Sequence, residues 1–170
     1  MNVLTKQRGI KEGSRGFTII EVVLVLAIAG LIFLMVFIAL PALQRNQRDT
    51  QRKNDMGRLQ TAIVNYTSSN RGNLPSNYTT FTKQYLTTGG DDFVDPSGIK
   101  SGSDTSINSY QFLAFGNGEL TKTFEESQNI IYFTNGYTCG ATSSTVESAG
   151  SRKVAFRMAL EGGGYNCVNN

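Results

Sequence analysis

Residues 17–40 read FTIIEVVLVLAIAGLIFLMVFIAL, an apolar run of 24 residues broken by one charge, Glu21. At a helical rise of about 1.5 Å per residue the run exceeds the roughly 30 Å of a bilayer's hydrocarbon core, so it is long enough for a transmembrane helix. A cleaved secretory signal is the rival reading, since basic residues precede the run. Signal h-regions are shorter, about 7 to 15 residues, and no A-x-A site closes this one.

Working outward, the polar stretch that follows keeps helical character. Met56, Leu59, Ile63 and Tyr66 recur at spacings of three and four, and Gly and Pro are nearly absent between Ala42 and Asn70. One helix is therefore expected from Phe17 to about Asn70. Pro41 lacks an N–H and crowds the preceding turn, so a kink is expected near Phe37 to Leu40, and Gly30 is a second soft point.

Beyond Asn70 the residues from Arg71 to Ser109 are rich in Gly, Ser, Thr, Asn and Asp and read as a long surface connection, with one helical turn around Phe81 to Leu86. Strand patterns follow. In Arg152 to Leu160, Val154, Phe156, Met158 and Leu160 alternate with Lys153, Ala155, Arg157 and Ala159, which predicts a strand whose apolar face covers the helix. Tyr110 to Phe115, Asn129 to Thr134 and Tyr165 to Val168 are further strands; Gly116-Asn117-Gly118 and Gly162-Gly163-Gly164 offer the positive φ of tight hairpins. The expected fold is α+β: a long, kinked N-terminal helix, half transmembrane and half amphipathic, packed against a C-terminal antiparallel sheet.

Charge and composition exclude several functions. The chain has no His and two Cys, which removes His-based acid–base chemistry, Ser/Cys–His dyads and most zinc sites, so no enzymatic activity and no cofactor are expected. The net charge of +3 sits in the first sixteen residues, where Lys6, Arg8, Lys11 and Arg15 face Glu12. From Phe17 onward, 12 basic and 12 acidic residues cancel, leaving no basic field on the scale that nucleic acid requires. The basic start places residues 1–16 inside and the head outside.

A short hydrophilic leader ending in Gly16, then Phe17, then Glu21 at the start of an apolar helix, RG/FTIIEVVLVLAIAGL, resembles the type IV pilins and their relatives. The resemblance covers the leader and the apolar helix; beyond them it is one of architecture, a pilin-like ladle. Pro41 lies farther from Glu21 than is common in the family, and the leader is longer than the shortest known.

The resemblance implies division into a leader (1–16) that a prepilin peptidase removes between Gly16 and Phe17, with N-methylation of Phe17; a membrane and assembly helix (17–43); its amphipathic continuation (44–71); and a globular head (72–170). It further implies a homo-oligomeric filament built by inner-membrane pilus assembly machinery. The subunit would rest in the lipid bilayer, single-pass with its head outside, before joining a surface pilus that serves adhesion, twitching motility or DNA uptake. A pseudopilin of a type II secretion or competence system shares these N-terminal features, and a single-pass anchored domain is a further alternative.

Glu21 fits this picture on physical grounds, because a carboxylate in hydrocarbon needs a partner or a proton. Cleavage would expose the amine of Phe17, and in the family the Glu of one subunit is thought to pair with the amine of the next. The plain alternative is an anion favoured by the helix N-terminus.

Cys139 and Cys167 resemble the disulfide-bounded region of many pilins. Joined, they would close a loop of about 29 residues, stabilising by roughly 3 to 4 kcal/mol; two buried free thiols are the other reading. Asp91, Asp92 and Asp95 beside Pro96 can gather oxygen ligands for Ca²⁺, although an ordinary Asp/Pro/Gly turn is the stronger expectation. Finally, Arg45, Arg48, Arg52, Lys53 and Arg58 outnumber Asp49 and Asp55 on the polar half of the helix, while residues 72–170 carry 6 basic and 9 acidic residues. This complementarity can steer one subunit's head against another's stem.

Overall fold

The computed structural model describes residues 16–87, 92–98 and 109–170. The chain divides into two compact units between Leu40 and Pro41. Helix α1 runs over Ile19–Ser69, close to the expected bounds, with Pro41 inside it.

In the first unit the helix buries nothing: the large apolar side chains from Phe17 to Leu40 are all exposed. The second unit holds the core. Met56, Leu59 and Ile63, the positions at helical spacing, are fully buried, and Tyr66 is partly buried against them. They meet Ile131, Val154, Phe156 and Met158 of the sheet. Each such side chain stabilises by about 1.5 to 3 kcal/mol on burial, so this seam outweighs any local helix propensity.

The main sheet has the order β1-β2-β5-β6, built from β1 (Gln111–Ala114), β2 (Ile130–Asn135), β5 (Val154–Ala159) and β6 (Tyr165–Asn169). β3 (Tyr137–Cys139) and β4 (Val146–Ser148), which no sequence pattern announced, form a separate antiparallel pair. The hairpin between β5 and β6 uses Gly163 and Gly164 at positive φ, as the Gly run predicts.

Two expectations need correction. The sheet is not wholly antiparallel: β1 runs parallel to β2, with Phe112 opposite Ile131. Parallel neighbours cannot share a tight hairpin, so Gly116-Asn117-Gly118 makes none; neither glycine has a positive φ, and both carbonyls accept hydrogen bonds from Arg157 instead.

β5 is buried along its whole length, on both faces of its alternation. Its second face is Ala155, Arg157 and Ala159. Arg157 is fully buried, with Nη1 donating to the carbonyls of Gly118 and Ser144 (both 2.8 Å) and Nη2 to the Gly116 carbonyl and Thr134 Oγ1 (both 3.0 Å). Burial pushes its pKa down. Carbonyl dipoles, not a carboxylate, solvate this cation, and its position in the strand makes a polar-looking residue part of the interior.

Second, the described residues of the segment read as a surface connection, 71–87 and 92–98, contribute to the core. Helix α2 (Tyr78–Tyr85), capped by the Asn77 side chain on Thr80 N–H, buries Tyr78 and Phe81. Phe93 and Tyr110 meet in the same core as tilted rings, with centroids 4.8 Å apart. Tyr78 meets Phe133 and Phe156 with ring centroids 4.5 and 5.2 Å apart, and its hydroxyl donates to Asn135 Oδ1.

Cys139 and Cys167 form a disulfide that ties β3 to β6. Reducing it in the full chain, held in detergent, should lower the unfolding free energy by about 3 to 4 kcal/mol. Denaturant titrations with and without reductant check this; coincident curves would contradict the stapling role.

Candidate processing and assembly site

Gly16, Phe17 and Thr18 lead into α1, and all three are exposed. Thr18 stands immediately before the helix, with Glu21 three residues on, and the two exchange hydrogen bonds. Glu21 N–H donates to Thr18 Oγ1 (3.3 Å), while Thr18 N–H and Oγ1–H donate to Glu21 Oε2 (both 2.8 Å). This is a capping box: each side chain satisfies a backbone donor that the first helical turn leaves unpaired. The T-x-x-E string carries the signal in the sequence; neither the assembly charge nor the anion favoured by the helix N-terminus includes the reciprocal bond to Thr18.

Glu21 Oε1, by contrast, has no hydrogen-bond partner among the described residues, so the carboxylate can hold its own helix start with one oxygen and accept an outside donor with the other. Gly30 sits exposed in mid-helix, and Pro41 leaves the Phe37 carbonyl without its i+4 donor. Residues 1–15 of the expected leader, and Asp91, lie outside the described residues.

The charges of the amphipathic half are spent differently from our expectation. Arg52, fully buried, donates Nε and Nη2 to the two oxygens of Asp95 (2.8 and 2.9 Å) and Nη1 to Asp49 (2.9 Å) and Glu161 (3.3 Å). Arg48 forks onto Glu161, with Nε–Oε2 at 2.7 Å and a second, Nη2–Oε1 contact. Asp49 also accepts the backbone N–H groups of Glu161 (2.9 Å) and Gly162 (2.7 Å). A Cβ at position 162 would come within 3.0 Å of that carboxylate, which accounts for the glycine. Arg58 pairs with Asp55, whose other oxygen accepts from Tyr110 O–H (3.0 Å). The opposite signs of stem and head are thus largely matched within one chain.

This network also decides the fate of the acidic loop. Both Asp95 oxygens are held by Arg52, and Ser97 N–H and Oγ–H donate to Oδ1 as well, so a cation would have to displace a guanidinium. Among the described residues no group of acidic, Cys or His side chains is arranged to hold a metal ion.

Burial pushes the Asp95 carboxyl up, but hydrogen bonds from Arg52 and Ser97 outweigh it, and its pKa falls below the ordinary 3.8. The hydrogen bond from Arg48 holds Glu161 below 4.5. Burial raises Asp55, which Tyr110 and Arg58 only partly offset.

Asp95 and Glu161 therefore contribute stability that is complete above their unfolded values and is lost as pH falls through the lower folded ones. Asp55 has the opposite sign, favouring the fold in acid and losing that contribution as pH rises through its raised value. With two lowered groups against one raised, thermal unfolding of the full chain in detergent should shift to lower temperature below about pH 4. Asp95→Asn, which leaves Arg52 short of an anion, should cost about 3 to 5 kcal/mol at neutral pH. A melting temperature that rises on acidification, or a neutral Asp95→Asn variant, would contradict the network.

Helix α1 contains a segment long and apolar enough to cross a membrane, and none of that segment is buried by the rest of the protein. Comparison with known proteins finds no matching family model, no matching curated protein and no matching solved structure.

Proposed function

We propose that this chain is the precursor of a type IV pilin-like subunit, cut between Gly16 and Phe17 and polymerised through its apolar helix into a surface filament. The observation that carries the reading is an apolar helix segment that the rest of the protein does not bury, whose one carboxylate, Glu21, stands just inside its start with Oε1 free. Lipid covers such a helix before assembly, and the helices of neighbouring subunits cover it afterwards. The disulfide and the exposed position of residues 16–18, open to a peptidase, support the same reading.

In this reading Glu21 has two tasks: Oε2 starts its own helix, and Oε1 receives the amine that cleavage creates on Phe17 of the adjacent subunit. The pair sets axial register, and its formation replaces the lipid-phase cost of an unpartnered carboxylate. The subunit performs no chemistry of its own.

Glu21→Gln separates the tasks, because a Gln at this position can still complete a capping box but carries no charge. The variant should insert in the membrane at the normal level yet lose filaments in the sheared fraction by more than roughly tenfold, as an amine facing an uncharged amide in an apolar bundle goes unpaired. Filament yields equal to those of the parent would leave Glu21 with the cap alone and remove the pairing.

A further inference from the structure

The chain contains two Asn-Gly pairs, Asn117-Gly118 and Asn135-Gly136. In such pairs the backbone nitrogen after Asn can reach the side-chain carbonyl, since glycine places no Cβ in the way. Both pairs lie in the head, and the fold treats them differently.

Asn135 ends β2, paired with Val154, and its Oδ1 accepts the Tyr78 hydroxyl at 2.7 Å. The Gly136 N–H donates to the Lys153 carbonyl at 2.6 Å, and the Gly136 carbonyl accepts from Ala149 and Gly150. Electrophile and nucleophile are each held in other hydrogen bonds. Asn117, in contrast, is exposed, lies outside every strand and follows Gly116; neither its side chain nor the Gly118 N–H has a hydrogen-bond partner among the described residues. A Cβ built on Gly118 meets nothing within 4 Å, so the space around the nitrogen is open. The carbonyls of Gly116 and Gly118 are both pinned from beneath by Arg157, which leaves the Asn117 side chain as the free part of the loop.

We propose that Asn117 is a self-modification site, at which the folded head converts asparagine to aspartate and isoaspartate while Asn135 is protected. The Gly118 nitrogen attacks Asn117 Cγ; a C–N bond forms, the Cγ–Nδ2 bond breaks, and the amide proton leaves with the side-chain nitrogen as ammonia. Water then adds to either carbonyl of the resulting succinimide and breaks one of its C–N bonds. The net exchange is one ammonia for one water, with no oxidant or reductant. The product places a new negative charge between the two carbonyls that hold Arg157, a buried cation with no carboxylate among its hydrogen-bond partners.

The test is peptide mapping by mass spectrometry of the full chain in detergent, incubated at mildly alkaline pH, beside a reduced, urea-unfolded sample. In the folded chain the Asn117 peptide should split into aspartate and isoaspartate forms at least roughly tenfold faster than the Asn135 peptide, the factor that one retained hydrogen bond supplies. In the unfolded chain the two should convert alike. Gly118→Ala, which the open space tolerates, should slow conversion at Asn117 and leave Asn135 unchanged. A folded-state ratio equal to the unfolded one, faster conversion at Asn135, or a Gly118→Ala variant as fast as the parent would overturn the proposal.

Discussion

Nineteen large apolar side chains between Phe17 and Leu43 lie at least 45% exposed within their own chain. At about 1.5 to 3 kcal/mol for each one fully removed from water, covering them is worth tens of kcal/mol, several times the 5 to 15 kcal/mol that holds a typical domain folded. Whatever covers this helix therefore governs where the protein can exist. Everything else must be compatible with that demand: a helix start with two donors satisfied locally, by Thr18 and Glu21, and a head whose core takes no residue from 17–40.

The head meets that condition with two different devices on the same stretch of helix. Met56, Leu59 and Ile63 provide a non-directional seam, while Arg48, Asp49, Arg52 and Asp55 provide directional contacts to Glu161, Gly162, Asp95 and Tyr110. Hydrophobic burial supplies most of the free energy. The ion pairs add register, because a buried guanidinium forked onto one carboxylate tolerates little sliding.

Local periodicity made much of this legible. The spacing of Met56, Leu59 and Ile63 marked the buried face of α1, the alternation in Val154 to Leu160 marked β5, and Gly162 to Gly164 marked its hairpin. What stayed hidden depends on partners distant in sequence. Arg157 is only the polar member of an alternating strand until the carbonyls of Gly116, Gly118 and Ser144 are brought to it, and Arg52 reads as a surface charge until Asp95, 43 residues on, reaches it. The parallel pairing of β1 with β2 has no local signature either, since a strand's period is the same whichever way its neighbour runs. At the helix start, the reciprocal bonding of Thr18 with Glu21 required the T-x-x-E spacing to be read as a cap.

The most direct test is to shear cells, separate released filaments from membranes, and determine by mass spectrometry the N-terminal residue and its modification in each fraction. The account predicts a chain beginning with N-methylated Phe17 in the sheared fraction. The same species confined to membranes would favour a pseudopilin; an intact leader, or cleavage anywhere other than between Gly16 and Phe17, would contradict the account.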